Sequence, residues 1–415
     1  NIMRYIKNIL AAALLLAPMG LIAADFTLTV TNGSGDGTVT EATTAEITAD
    51  APAAGFHFVN WTTPDGGSFA DANSPKTTYT MPSNDATVTA NYDNYSGFIS
   101  AENTKLVASD AAASDEFGYS VAISGDTAVV GAWRDDIAGF DAGSAYVFVK
   151  AAGVWTQQQK LLPADIFPLD NFGISVAISG DTIAVGANSD DDGATDTGSV
   201  YIFTRAAGVW TQQTKINAAD AAESDFFGKS VSLSGNTLVV GANGAGTSGA
   251  AYVFTGSGAA WAQQQKLTAS DAASEDDFGQ SLSLSGDTLV IGAHADDDAG
   301  TSSGSAYVFK RTAGVWAEQQ KLTASDAEEN DQFGYAVGVS GDTIVVGARF
   351  EDDGALSSGS AYTFLRSGAT WSQQGKLTAD DAAANDQFGH SVAISNDTVV
   401  VGAFGDDDTA DSSGS

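Results

Sequence analysis

Asn188, Asp190, Asp192 and Asp196 surround Gly193 in the pattern Asn-X-Asp-X-Asp-Gly-X-X-Asp. Alternating oxygen ligands around a glycine turn are what a wrapped Ca2+ ion requires, because a hard cation takes six or more oxygens at short range. These four residues are the candidate metal site, and Ca2+ is the cofactor they suggest. Looser acidic runs recur at Asp135-Asp136, Asp296-Asp297-Asp298, Glu351-Asp352-Asp353 and Asp406-Asp407-Asp408, whereas the stretch beginning at Asn243-Gly244-Ala245 has no carboxylate. The same residue types also build Asx turns on a solvated rim with no ion present.

Residues for catalysis are sparse. A general base near neutral pH is most often histidine, and the repeated part of the chain offers only His294 and His390, at different repeat positions. Gly300-Thr301-Ser302-Ser303-Gly304 fits the Gly-X-Ser-X-Gly nucleophile pattern but lies in a Ser/Gly loop rather than a strand-to-helix elbow. Carboxylate pairs that could work a glycosidic bond are numerous and undistinguished. There is no cysteine, hence no thiolate chemistry, no disulfide framework and no thiol for a lipid anchor. No catalytic residue is assigned, and the protein is expected not to be an enzyme.

The elements that carry these residues repeat. Phe-Gly pairs stand at Phe117, Phe172, Phe227, Phe278, Phe333 and Phe388, spaced 55, 55, 51, 55 and 55 residues apart. Each is followed by a Gly-Ala pair, at Gly131, Gly186, Gly241, Gly292, Gly347 and Gly402, and five by a Trp-X-X-Gln run, at Trp155, Trp210, Trp261, Trp316 and Trp371. The run from Phe117 alternates large apolar with small residues, the period of a strand with one face in a packed layer. Ser-Gly-Asp-Thr then makes a hairpin into a near-continuous apolar strand, and two further strands follow a loop rich in Asp, Gly and Ser. Four antiparallel strands at this period predict β-propeller blades, in which the repeated Trp residues pack between strands. Acidic pairs precede each Phe-Gly, at Asp110/Asp115, Asp165/Asp170, Asp220/Asp225, Asp271/Asp277, Asp326/Asp331 and Asp380/Asp386. Their recurrence predicts side-chain bonds to backbone that shape the crossover between blades.

The repeat resembles the FG-GAP family, the blade of the integrin α-chain head and of many bacterial exported proteins, over residues 104–415. Phe172-Gly-Ile-Ser-Val-Ala-Ile-Ser-Gly-Asp-Thr-Ile-Ala-Val-Gly-Ala is a clear instance. The resemblance implies a seven-blade ring, of which six blades are visible. It does not bring the integrin-type calcium loop, whose place between the Phe-Gly and Gly-Ala strands holds only a short hairpin here. Lys105-Leu106 aligns with Lys160-Leu161 and predicts an orphan strand that completes the last blade. Ser415 aligns with Ser144, Ser199, Ser305 and Ser360, just before a third strand, so a longer parent sequence is expected.

Upstream, residues 25–93 alternate short β runs with turns, and Phe56, Phe58, Trp61, Phe69 and Tyr79 are expected to fill a small core, with His57 exposed. Phe58-Val59-Asn60-Trp61-Thr62 and Thr78-Tyr79-Thr80-Met81-Pro82 are similar to the internalin B-like β-grasp repeat of bacterial surface proteins, which implies a spacer or adhesive unit without catalytic residues. Residues 94–103 read as a linker. Residues 1–24 combine Arg4 and Lys7 with an apolar run over 9–23 and small residues before Asp25, a signal-peptide layout. No later stretch is long and apolar enough for a transmembrane segment, so the mature chain is expected to be secreted, periplasmic or on the cell surface.

With 17 basic against 52 acidic residues, the net charge of −35 excludes nucleic acid and anionic membranes as partners and leaves cations, proteins and neutral glycans. The expected function is a monomeric, non-enzymatic binding or adhesion scaffold that presents propeller loops to an extracellular protein or glycan. The alternative is a carbohydrate-active enzyme or lectin using a propeller face. Non-repeated polar and aromatic residues gathered on one face would favour that alternative, and near-identical blades the scaffold.

Overall fold

The computed structural model describes residues 24–50, 56–70, 72, 74–94, 104–396 and 398–407. Of the signal-peptide layout of residues 1–24, all but the last residue therefore lies outside the described residues. Two compact units divide the chain, Asn1–Asn103 and Thr104–Ser415. All regular structure among the described residues is β.

In the first unit, two four-stranded sheets pack face to face. Leu28 to Thr31 pair parallel with Ala86 to Thr89, so a strand from each end of the module lies at the centre of one sheet. Phe58, Trp61 and Tyr79 are buried between the sheets with Ile47 and Val88, and Phe69 packs against them. That is the predicted aromatic core, except that the side chains of Phe56 and His57 lie outside the described set.

In the second unit, blade 1 comprises Ser120–Ser124, Thr127–Ala132, Ser144–Ala151 and Val154–Leu161, paired antiparallel in that order. Blades 2 to 5 repeat it, and blade 6 contributes Phe388–Ser395 and Thr398–Ala403. First strands of neighbouring blades lie against one another, whereas fourth strands barely touch, so the first strands line the axis and the sheets fan outward. The apolar cores lie between blades. Val129, Val147 and Leu161 of blade 1 pack on Phe172, Val176, Ile178 and Trp210 of blade 2, and the same set recurs at the following interfaces. Trp210, Trp316 and Trp371 are buried there, in the predicted packing role.

The motif residues join one blade to the next. Ser120 donates through Oγ to the Gly173 carbonyl at 2.8 Å, and Gly131 lets that carbonyl approach so closely that a Cβ would stand 2.0 Å from it. The Gln159 amide accepts from Trp210 N at 2.9 Å and donates to Trp210 O at 2.8 Å, a side-chain imitation of a strand ladder that Gln265 and Gln320 repeat. Thr214 stands at that position in blade 2, and the facing Trp261 is only half-buried.

Two faces lack the cover that interior blades enjoy. Val121 and Ile123 of blade 1 are 69% and 65% exposed, while their counterparts Val176 and Ile178 are 7% and 8% exposed. Val400 of blade 6 is likewise exposed. Lys105 and Leu106 do not form the predicted strand. Leu106 instead packs beside Tyr146 and Phe148 of blade 1.

The second acid of each crossover pair behaves as the repeat predicts, with one shift of position, whereas Asp110, Asp165, Asp220, Asp271 and Asp326, first of their pairs, reach the fourth-strand lysines instead. Asp115, Asp170, Asp225, Asp276, Asp331 and Asp386 are buried and accept the backbone N–H three residues upstream at 2.6–2.8 Å, tightening the turn before each Phe-Gly. In blade 4 the residue is Asp276, not Asp277, and Asp277 is free to face elsewhere. Burial pushes Asp170 up to about 6, so its ionisation weakens the fold progressively as pH rises from about 4 to 6. Asp170→Asn should therefore gain about 2–3 kcal/mol on the parent between pH 4 and pH 7, read from urea melts at the two pH values.

Candidate functional site

Each fourth strand places a lysine opposite a tyrosine of the third, as in Tyr146 with Lys160 and Tyr201 with Lys215. The lysine ammonium lies over the tyrosine ring, 5.0–5.5 Å from its centroid, and reaches the acidic loop. Lys215 Nζ lies 2.8 Å from Asp190, 2.5 Å from Asp192 and 3.1 Å from Asp165, and the Tyr201 hydroxyl donates to Asp190 at 2.6 Å. Lys160 pairs with Asp110 and Asp135, and Lys376 with Asp326, Glu351 and Asp353. The carboxylates of Asp271, Asp296 and Asp298 converge closely enough to hold a metal ion, and Lys321 pairs with all three. Blade 3 has Ala245 where the buried acid would be, and there Lys266 pairs with Asp220 alone.

The four residues of the predicted calcium loop are thus distributed. Asp190 and Asp192 meet at Lys215. The Asp196 backbone N–H donates to Asp191 at 2.9 Å. Asn188 is buried, and its carboxamide oxygen has no hydrogen-bond partner. Asn188 belongs to a different set, the residues that directly follow each Gly-Ala pair.

That set reads Trp133, Asn188, Asn243, His294, Arg349 and Phe404, a different side-chain environment in nearly every blade. Two further sets accompany it at the same end of the first strands. Before each Phe-Gly stand Glu116, Asn171, Phe226, Asp277, Gln332 and Gln387, all held in the left-handed region at φ 53–59°. Such backbone costs about 1 kcal/mol or more for a non-glycine residue, and its recurrence aims these side chains identically in every blade. After each Phe-Gly stand Tyr119, Ile174, Lys229, Gln280, Tyr335 and His390. Because the first strands are innermost, all three sets ring the axis at the crossover end.

They touch across blades. His294 meets Tyr335 edge-on at 5.5 Å, Tyr335 meets His390 at 5.1 Å, and His390 stacks on Phe404 at 4.9 Å. His294 Nε2 is 3.6 Å from Asp277, and its Nδ1 is buried without a partner. Arg349 lies flat on Tyr335, 3.6 Å from the ring centroid, and donates through Nε to Gln332 at 2.8 Å. In blade 1, Trp133 donates to Glu116 at 2.7 Å and packs on Tyr119 and Arg134. Tyr119 of blade 1 lies within the field of Tyr335 and Arg349 of blade 5. Burial, reinforced by Arg349, pushes His294 and His390 down to about 4, which leaves both imidazoles neutral at neutral pH.

The two histidines, unrelated by repeat position, are therefore neighbours separated by one tyrosine ring. Tyr119, Trp133, Lys229, Tyr335, Arg349 and Phe404 were not legible as site residues from spacing. A signal was nonetheless present, since these columns change from blade to blade while their Phe-Gly and Gly-Ala neighbours do not.

Repeated four-stranded antiparallel sheets with their first strands innermost define a β-propeller. The chain belongs to the FG-GAP repeat family, whose profile matches residues 101–148, 155–203, 210–254, 261–309, 316–364 and 371–415. Residues 26–96 match the divergent InlB B-repeat domain. No curated protein matches the chain. No helix among the described residues is long and apolar enough to cross a membrane.

Proposed function

We propose that the protein is an exported, non-enzymatic binding scaffold that meets an extracellular ligand with the crossover end of its propeller axis. The observation that supports this is the contrast between near-identical blades and the varied aromatic, basic and carboxamide side chains gathered at that mouth. Such convergence favours the lectin side of the alternative reading over a purely structural scaffold. The N-terminal module serves as a spacer in this reading. Tyr119 and Trp133 are accessible enough to contact a ligand, and neither belongs to a blade interface core. Tyr119→Ala with Trp133→Ala should reduce binding to extracellular glycan or protein arrays at least about tenfold while the melting temperature stays within a few degrees. Array binding that is unchanged by both substitutions would overturn the reading.

Calcium binding at Asn188, Asp190, Asp192 and Asp196 is a separate proposal, and it requires an ion to displace the Lys215 ammonium from Asp190 and Asp192. A higher melting temperature in millimolar Ca2+ than in chelator, removed by Asp192→Ala, supports it. The absence of any calcium-dependent rise in the parent protein overturns it.

A further inference from the structure

The cations of the propeller are mostly neutralised in place. Lys160, Lys215, Lys266, Lys321, Lys376, Arg134, Arg205, Arg311 and Arg366 each lie within ion-pair distance of a carboxylate. Two at the axial mouth do not. Arg349 is bonded only to the neutral Gln332 and stacked on Tyr335, and Lys229 makes no ion pair, although Asp277 contributes to its field. Burial lowers the proton affinity of both, so each carries its charge in a partly desolvated place. An unpaired charge in such a place is unfavourable, and an anion between the two would relieve it. Glu116 at the same mouth pairs with Arg134, which leaves Asp277 as the acid set against Lys229 and Arg349, in a chain of net charge −35.

The surroundings narrow the class of anion. Three buried polar atoms at the mouth lack partners, the carboxamide oxygens of Asn188 and Asn243 and Nδ1 of His294. The carboxamides of Asn188 and Asn243 are neutral groups that both donate and accept, which matches hydroxyl groups beside an anionic group rather than a second charge. Tyr119, Trp133 and Phe404 offer ring surface of the kind that packs on the C–H faces of sugars. A dense polyanion would meet the acidic exterior, whereas a single carboxylate among neutral hydroxyls would not.

We propose that this mouth binds a glycan bearing isolated carboxylates, a uronate within otherwise neutral sugars, with Arg349 and Lys229 holding the carboxylate and Tyr119 and Trp133 carrying the sugar face. The proposal rests on the binding reading above and specifies its ligand. Arg349 presents the remaining edge of a planar guanidinium, suited to a two-point bond to a carboxylate. Lys229 supplies a second positive charge from blade 3, within the field of Arg349.

Calorimetric titration with a glucuronate-containing tetrasaccharide, its carboxyl-reduced counterpart and an Asp-rich peptide tests it, on the parent, Arg349→Gln, Lys229→Gln and Arg205→Gln. The acidic sugar should bind the parent at least about tenfold more tightly than the reduced sugar. Arg349→Gln should erase that ratio, Lys229→Gln should shrink it, and Arg205→Gln, whose partner is Asp181 on the far hairpin, should leave it intact. Melting curves confirm that each variant is folded. Equal binding of both sugars would overturn carboxylate recognition while leaving the binding reading standing. Preference for the peptide would overturn the glycan assignment. No binding of either sugar by the folded parent would overturn the inference, and the Tyr119 and Trp133 array experiment decides separately whether the general reading also falls.

Discussion

Lys215→Met is expected to destabilise the propeller by about 3–5 kcal/mol, whereas Lys266→Met in blade 3 should cost about 1 kcal/mol or less. The difference follows from what each lysine leaves behind. Asp190 is almost fully buried, and without Lys215 its carboxylate keeps only neutral donors, the Tyr201 hydroxyl and the Asp192 backbone N–H. Removing one partner of a buried pair strands a charge that water cannot reach. Lys266 has only Asp220, half-exposed, because Ala245 replaces the buried acid. Asp190→Ala added to Lys215→Met removes the stranded acid, as Ala245 does in blade 3, and should restore most of the loss. Urea unfolding of the four proteins measures all of this, and equal costs for Lys215→Met and Lys266→Met would show that the buried acid is not what the lysine serves.

Gly186→Ala should cost about 3 kcal/mol or more, although only a methyl group is added. Its Cβ would stand 2.1 Å from the Gly228 carbonyl oxygen of the next blade and 2.3 Å from Ser175 Oγ. A serine can rotate away, but the carbonyl is backbone fixed by the Phe-Gly turn, so the blades themselves must separate. Gly375→Ala is the matched control, since its Cβ would meet nothing closer than Thr363 Oγ1 at 3.6 Å. That substitution lies in a strand and should be neutral or slightly stabilising. Thermal melts distinguish the two, and a mild effect at Gly186 would mean that the interblade approach is softer than the structure indicates.

Acidification acts on the same lysine clusters. Lys160 holds the Asp110 carboxyl below its ordinary value, and at Asp135 the push of burial is outweighed by Lys160, Ser144 and Tyr146. A carboxyl lowered in the folded state contributes stability that is full above about pH 4 and lost below it. Asp170 and Asp331, pushed up to about 6 by burial, act in the opposite sense between about pH 4 and 6.

The blade was legible in the sequence because its determinants are local. Period-2 alternation from Phe172, the hairpin at Gly180 and the apolar run of Thr182–Ala187 fix strands within a few residues of each other, and repetition multiplies the signal. The motif glycines and crossover aspartates were legible too, since steric and backbone demands recur with the repeat. The pairing of Lys215 with Asp190 was not, because the acidic loop by itself has the spacing of a cation site and only the antiparallel register of Tyr201 with Lys215 brings an ammonium to it. Least visible was the axial mouth. Its members come up to three per blade, their equivalents 51 or 55 residues apart, and the side-chain type at each position changes from blade to blade. They become a site because innermost strands must converge on an axis, a consequence of ring geometry that no segment of the chain encodes alone.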